Sequence, residues 1–142
     1  MITIEDALRI AVDAHDGQKD LDGKPVILHP LTVGLASKNR EEIIAGFFHD
    51  VVEDTDITFD DLLSRGVDEP IVDALRLLTH EKGTSYEAYV QRIAESGNDI
   101  ALHVKFNDLC HNLQRGRAGG YWDIVAKHEK ALAVIEPLVE AE

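Results

Sequence analysis

Apolar residues recur along most of the chain at spacings of three and four, the period of an amphipathic α-helix. The first such run contains Ile4, Ala7, Leu8, Ala11 and Val12, which would share one face of a helix. Few segments alternate between apolar and polar residues with the period of two that predicts a β-strand. We therefore expect an all-α fold.

Residues that commonly begin or end helices divide this pattern into segments. The predicted helices run from Thr3 to about His15, from Pro30 onward, over about residues 41–53, after Thr58, over 68–78, from Thr84 or Ser85 to about Ser96, from Asn98 to about Leu113, and after Gly120 to about Glu140. The segment 17–29 carries glycines and a proline among charged residues and predicts a loop. Residues 116–120 are expected to be a surface loop that either covers a site or, by default, stays mobile.

Length and charge narrow the class of protein. The 142 residues suffice for one domain with its own core, so we expect a single domain over residues 1–142. With 27 Asp and Glu against 14 Lys and Arg, the formal net charge is −13, which disfavours nucleic acid as a partner. The longest purely apolar run, residues 43–48, is far too short to span a membrane, so no membrane partner is expected.

The expected location is the cytoplasm. The amino terminus is acidic and amphipathic, whereas a secretory signal would be basic and then continuously apolar. A single cysteine, Cys110, permits no internal disulfide and suits a reducing compartment.

The third predicted helix is apolar on nearly all sides and yet ends in acidic residues. On a helix, Asp50, Glu53 and Asp54 share one face, and His49 lies next to Asp50 and four residues before Glu53. Burying unpaired carboxylates costs more than these apolar contacts return, so a divalent cation would explain the cluster. The alternative is a helix end that reaches solvent, with His49 hydrogen-bonded in the core.

Two further segments carry polar residues that suit the same chemistry. In the next-to-last predicted helix, Lys105, Asp108 and Asn112 share a face separate from the apolar stripe. Asp108 would alternatively be a solvated residue or a partner for Lys105. His29, at the end of the loop, suits either a metal ligand or an ordinary helix start. The following histidines are expected to be surface or hydrogen-bonded core residues: His80, His103, His111 and His128.

Four stretches of the chain form a recognisable set. They are HDGQ with GKPVILHP at residues 15–30, FFHDVVEDT at 47–55, VKFNDLCHNL at 104–113 and, more weakly, KHEKAL at 127–132. In this order and spacing they resemble the HD-domain phosphohydrolases, and more closely the hydrolase domain of the RelA/SpoT family and its small alarmone hydrolases. The resemblance covers nearly the whole chain and implies an HD-domain helical bundle.

The resemblance implies one bound metal ion. The positions that match the metal ligands of the family are His29, His49, Asp50 and Asp108. Mixed imidazole and carboxylate ligands suit a divalent cation, which in this family is usually Mn²⁺.

The resemblance also implies a reaction, the removal of the 3′-pyrophosphate of guanosine tetra- or pentaphosphate (ppGpp or pppGpp) to give GDP or GTP and pyrophosphate. Glu53 and Asp54 match the acidic pair that orients and deprotonates the attacking water. Asn112 matches a position that contacts the nucleotide. The cationic residues Lys105 and Lys19, on or near the motifs, would add positive charge for this small-molecule nucleotide substrate.

Other positions depart from the family pattern and leave the substrate open. Asp20 stands where these hydrolases usually have Arg, Val26 where they have Tyr, Leu109 where they have Arg, and Asn107 where they have Ala. An aspartate in place of an arginine reverses the charge on the expected base-binding side. The alternatives are an HD-domain phosphohydrolase for another nucleotide, such as an adenine alarmone or a dinucleotide phosphate, and a nucleotide-binding HD domain without turnover.

Self-association is also open, because apolar residues on the last predicted helix would serve either the core or an interface between two copies. These residues include Ile124, Leu132, Ile135 and Leu138.

Overall fold

The computed structural model describes residues 1–140, which form packed α-helices. The helices are α1 (Ile4–Ala14), α2 (Leu28–Leu35), α3 (Arg40–Phe48), α4 (Val51–Asp54), α5 (Phe59–Ser64), α6 (Glu69–Leu78), α7 (Tyr86–Glu95), α8 (Asp99–Gly119) and α9 (Trp122–Glu140). Within these residues no β-strand occurs, and strand-like pairing is limited to a bridge between Lys19 and Pro25. The predicted all-α fold is confirmed. None of the helices described combines the length and the hydropathy that crossing a membrane requires.

Capping side chains begin five of the described helices, four of them at residues that the sequence predicts as helix starts. Each of these caps accepts a hydrogen bond from the backbone amide three residues later: Thr3, Asn39, Thr58, Ser85 and Asn98. Asn39, before α3, was not predicted, and the predicted start Asp68 makes no capping hydrogen bond through its side chain. Helix α2 differs from the prediction, since it begins at Leu28, two residues before Pro30. A proline is tolerated there because amides in the first turn of a helix have no helical acceptor.

Helix α3 lies at the centre of the fold, in contact with α1, α2, α6 and α8. Its residues Phe47 and Phe48 are almost fully buried in one cluster of apolar side chains to which every named helix contributes. In α9, Ile135 joins this cluster, whereas Ile124 and Leu138 are 37% and 38% exposed. Burial of a large apolar side chain contributes roughly 2 kcal/mol, so the core holds α3 and the residues that follow it firmly in place.

Two glycines allow α2 to approach α3 closely. A Cβ atom on Gly46 would lie 2.7 Å from the Cα atom of Gly34, and a Cβ atom on Gly34 would lie 2.9 Å from the carbonyl oxygen of Ile43. Both separations are shorter than real Cβ contacts, so neither position accepts a side chain without movement of the backbone. The contact fixes His29, near the start of α2, relative to His49, just after α3.

The third predicted helix is interrupted, contrary to expectation. Helix α3 ends before His49, and α4 begins at Val51. Nδ1 of His49 donates a hydrogen bond to the carbonyl oxygen of Gly46 over 2.6 Å. A continuous helix would give that carbonyl to the amide of Asp50, so the imidazole competes with the helical hydrogen bond.

Helix α8 runs further than predicted. It continues through Leu113 and through the segment expected to be a surface loop, and it ends at Gly119. Gly120 has a φ of +73°, and the amide of Tyr121 donates to the carbonyl oxygen of Gly116 over 2.9 Å. This backbone pattern commonly ends helices at glycine, and the expected loop is therefore the last turn of α8.

We expect the substitution Gly46→Ala to lower the free energy of unfolding by about 1–3 kcal/mol, because the added methyl group would meet the backbone of α2. Chemical denaturation followed by circular dichroism measures this loss. Gly116→Ala is a comparison within a helix: its Cβ atom would lie 2.8 Å from a side-chain methyl group of Val125 and not against backbone, so we expect a smaller loss than for Gly46→Ala. Equal stability of Gly46→Ala and the wild type would contradict the close approach of the two helices.

Candidate active site

Four potential metal-binding atoms from separate parts of the chain converge at one point. His29 lies in the first turn of α2, His49 and Asp50 form the junction between α3 and α4, and Asp108 lies within α8. The Nε2 atoms of the two histidines are 3.2 Å apart. Oδ1 of Asp108 lies 2.8 Å from Nε2 of His29 and 3.4 Å from Nε2 of His49. Oδ2 of Asp50 lies 3.2 Å from Nε2 of His49 and 3.8 Å from Nε2 of His29.

The hydrogen bond from His49 to Gly46 fixes the position of a proton on the imidazole ring. A carbonyl oxygen only accepts hydrogen bonds, so Nδ1 of His49 is the donor. In the neutral ring, Nε2 then carries a lone pair, which lies among Nε2 of His29 and the two carboxylates. This is the form of histidine that binds metal ions.

His111 provides the corresponding contact for His29. The Nδ1 atoms of the two rings are 2.7 Å apart, and the ring planes differ by 10°. For His29 to present a lone pair at Nε2, its Nδ1 must donate the proton of this hydrogen bond and His111 must accept it. Burial lowers the pKa of His111 to about 4, so near pH 7 its ring is neutral and able to accept.

The arrangement of these four side chains fits a divalent metal ion. Atoms that bind a small divalent cation at about 2.0–2.2 Å lie about 3 Å from one another, close to the separations found here. Imidazole nitrogens and carboxylate oxygens are ligands that such cations take. Although burial opposes it, the carboxylates of Asp50 and Asp108 raise the pKa of His49 well above its ordinary value. The point where the four groups meet therefore favours positive charge.

Glu53 and Asp54 lie on α4, beside this cluster. Carboxylate oxygens of Asp50, Glu53 and Asp54 lie within 4.8 Å of one another. Oε1 of Glu53 accepts a hydrogen bond from the backbone amide of His80 over 2.8 Å, which limits the movement of the side chain. Partial burial, with the charges of Asp50 and Glu53 nearby, raises the pKa of Asp54 to about 6. A carboxylate with a raised pKa is a stronger proton acceptor.

The cluster opens into a polar cavity of about 200 Å³, called the metal-site cavity below. Three cationic residues line the same cavity: Lys105, Arg115 and Lys127. A second cavity of about 350 Å³, called the side groove below, shares Asn112, Arg115 and His128 with it. The smaller cavity, lined by the metal-ligand side chains and the three cationic residues, therefore adjoins a larger one.

The three residues predicted to contact the substrate have different surroundings. Asn112 lines both cavities and donates a hydrogen bond to Oδ1 of Asp108 over 3.0 Å. Lys105 is buried, and its ammonium group donates to Oδ2 of Asp108 over 3.0 Å and lies 4.9 Å from the ring centre of Tyr89. Lys19 lines the side groove and is not among the residues that line the metal-site cavity.

Sequence reasoning missed the contact of His111, which we expected to be a surface or core residue. Its partner, His29, is 82 residues away, so helical spacing gives no signal for the pair. The motif was the one sequence feature that could have indicated a role for His111, because this residue is the histidine of KxxDxxHN. Two of the other histidines, His80 and His128, line the metal-site cavity, while His103 lies 2.9 Å from the carboxylate of Glu42.

Similar proteins are found among curated sequences, although no family model matches the chain. The bifunctional (p)ppGpp synthase/hydrolase SpoT of Escherichia coli strain K12 is 31% identical over 123 residues, which cover 78% of this chain and 18% of SpoT. A guanosine-3′,5′-bis(diphosphate) 3′-pyrophosphohydrolase of Aquifex aeolicus is 39% identical over 66 residues, covering 44% of this chain and 10% of that protein. A chloroplastic RSH1 protein of Oryza sativa is 47% identical over 62 residues, covering 40% and 7%. The chain thus spans less than a fifth of the length of these relatives.

A solved structure described as a metazoan orthologue of SpoT that hydrolyses ppGpp has the same fold. The TM-score is 0.71, with 97% of this chain and 92% of that chain covered, at 21% sequence identity. At this level of identity the likeness concerns the fold, and it confirms the predicted HD-domain helical bundle. The sequence similarity to SpoT extends over most of the chain, and this protein therefore belongs to the RelA/SpoT family.

Proposed function

We propose that this protein is a metal-dependent phosphohydrolase that removes the 3′-pyrophosphate of guanosine tetra- or pentaphosphate and yields GDP or GTP and pyrophosphate. The observation that carries the proposal is the convergence of four potential metal-ligand side chains, from His29, His49, Asp50 and Asp108, with the carboxylates of Glu53 and Asp54 close to Asp50. The names of the relatives from E. coli and A. aeolicus refer to the same substrate class and support its choice.

In this proposal His29, His49, Asp50 and Asp108 hold one metal ion, and Mn²⁺ is the expected one. When bound, the cation would lower the pKa of a water molecule and offset negative charge on a phosphoryl oxygen. His111 holds the ring of His29 in the form that binds metal, through the hydrogen bond between the two Nδ1 atoms.

Glu53 and Asp54 are proposed to orient the attacking water and take its proton. With a pKa of about 6, Asp54 is ionised near pH 7 and is still basic enough to accept a proton. The amide of His80 holds one oxygen of Glu53 and leaves the other for the water. As the water oxygen attaches to phosphorus, the bond to the 3′ oxygen breaks, and that oxygen receives a proton to become the hydroxyl group of the product.

The substrate would lie across both cavities, with its phosphoryl groups in the metal-site cavity and its nucleoside in the groove. Asn112 lines both and is suited to contact the nucleotide where they meet. Lys105 acts indirectly, because its charge balances that of Asp108 within the cavity wall. Lys19 would add positive charge at the edge of the groove.

We also propose that the protein is cytoplasmic and does not bind nucleic acid. Cys110 is a free cysteine, as is usual in a reducing compartment. The formal charge of −13 opposes sequence-independent binding to a phosphate backbone.

A second candidate keeps the metal site and changes the nucleotide. Asp20 lines the groove, and its carboxylate accepts hydrogen bonds from the amides of Asp22 and Lys24. An acid thus stands on this wall where these hydrolases usually have arginine, and this reversal of charge is the reason to consider an adenine alarmone or a dinucleotide phosphate as the second candidate substrate.

Three nucleotides assayed with Mn²⁺ distinguish the two candidates: guanosine tetraphosphate, an adenine alarmone and a dinucleotide phosphate. We expect guanosine tetraphosphate to be hydrolysed most efficiently. The measured quantity is kcat/KM for each nucleotide. A much higher kcat/KM for an adenine substrate would replace the guanine proposal with the second candidate. Binding of every nucleotide without turnover would favour a binding domain.

Two substitutions separate metal binding from water activation. Asp50→Asn should abolish pyrophosphate release together with Mn²⁺ binding, because a charged ligand is lost. Glu53→Gln should lower kcat by roughly 10²–10⁴-fold and leave Mn²⁺ binding largely intact. Asp99→Asn is the control, since this exposed acid lies on α8 about 13 Å along the helix from Asp108. Full activity of Asp50→Asn would disprove the site.

His111→Ala should weaken Mn²⁺ binding by roughly 10–100-fold, because the ring of His29 would lose the acceptor that orients it. His111→Gln retains a hydrogen-bond acceptor and should recover part of the affinity. Isothermal titration calorimetry with Mn²⁺ measures both without any need for turnover. His103→Gln, on the same helix and paired with Glu42, is the control and should bind Mn²⁺ like the wild type. Unchanged affinity in His111→Ala would rule out this contribution.

A further inference from the structure

Part of the metal-site cavity is formed by residues that the proposed reaction does not use. Tyr86 lies at the start of α7, and Lys127 and His128 lie in α9. All three line the cavity that holds the metal-ligand side chains. The ring centres of Tyr86 and His128 are 6.2 Å apart, so the two helices bring these side chains together.

Two polar atoms in this group are buried without a partner. The hydroxyl group of Tyr86 and Nδ1 of His128 have almost no solvent access, and within residues 1–140 neither has a hydrogen-bond partner at 3.5 Å or less. The neighbouring Tyr89 differs, because its hydroxyl group donates to the carbonyl oxygen of Leu78 over 2.7 Å. Buried polar groups are nearly always paired in native proteins, so two unpaired ones on residues that line one cavity indicate a ligand.

Lys127 adds a charge that the described part of the chain does not balance. No carboxylate in residues 1–140 lies within 4.0 Å of its ammonium group, which lies 4.2 Å from the ring centre of Tyr86. Lys105, on the same ring at 5.5 Å, is instead paired with Asp108. The positive charge of Lys127 is therefore free to act on a bound group.

The three side chains share the chemistry of an anion site. The hydroxyl group and the ammonium group donate hydrogen bonds, and a neutral imidazole donates from one of its nitrogens. Burial lowers the pKa of His128 to about 4, so its ring is neutral near pH 7. Several donors with one full positive charge suit a phosphoryl group, which offers several acceptor oxygens.

We propose that Tyr86, Lys127 and His128 form a subsite for a second phosphoryl group, beside the one at the metal-ligand side chains. In the reaction this group belongs to the part of the substrate that leaves as pyrophosphate. The identity of the substrate rests on the proposed function, but the binding of pyrophosphate itself does not require turnover.

The test is the binding of inorganic pyrophosphate to the full chain, by isothermal titration calorimetry at a saturating free concentration of Mn²⁺. Lys127→Met and Tyr86→Phe should each weaken binding by about tenfold or more, because each removes a hydrogen bond to an anion. Lys130→Met is the matched control, since Lys130 lies about one turn further along α9 and shares a neighbouring groove with Tyr86 and Lys127 but, unlike them, does not line the metal-site cavity. Mn²⁺ affinity, measured separately, should be the same in all four proteins.

The outcomes separate this subsite from the reaction. Lys127 is exposed and Tyr86→Phe keeps the aromatic ring, so neither change should prevent folding. Pyrophosphate binding that depends on these residues in a protein inactive on guanosine tetraphosphate would support the subsite and refute the substrate. Hydrolysis of guanosine tetraphosphate with unchanged pyrophosphate affinity in both variants would refute the subsite alone. The subsite proposal would also be refuted if the wild-type protein did not bind pyrophosphate.

Discussion

The structure depends on an electrostatic constraint at the point where four ligand atoms meet. Two imidazole nitrogens lie 3.2 Å apart, and two carboxylates lie within 3.8 Å of them, all in a largely buried place. Lone pairs and negative charges at these separations repel one another unless positive charge lies among them, and low solvent access strengthens the repulsion. Other features of the fold follow from holding these groups together.

The core supplies the rigidity that this arrangement needs. Gly34 and Gly46 let two helix backbones approach, and the carbonyl of Gly46 also receives the proton of His49. One short segment thus determines both the position of α2 and the orientation of an imidazole ring. The ammonium group of Lys105 pairs with Oδ2 of Asp108 and offsets the negative charge of this buried carboxylate. A buried carboxylate without a partner would cost several kcal/mol.

Local features of the fold were predictable, and contacts between distant segments were not. Thr58 and Asn98 cap helices at the predicted residues because capping depends on a side chain and an amide three residues away. The sequence spacing of Asp50, Glu53 and Asp54 also predicted that these three acids lie close together. The break after α3 was not, because it arises from a side-chain hydrogen bond that helix propensity does not represent. The contact of His29 with His111 depends on how α2 packs on α8, which the pattern of apolar residues leaves undetermined.

The departure at Asp20 has a physical counterpart on the other side of the groove. Asp20 accepts hydrogen bonds from two amides of its own loop, which lowers the pKa of the carboxyl group, so the side chain is occupied in shaping the loop. Nη1 of Arg115, from α8, lies 3.7 Å from Oδ2 of Asp20 and lines both cavities. A guanidinium group is therefore present in the groove although the loop position that usually carries one is acidic. The cation of the groove thus comes from α8 instead of the loop, and under the proposed function its planar guanidinium group would serve beside the base in place of the usual arginine.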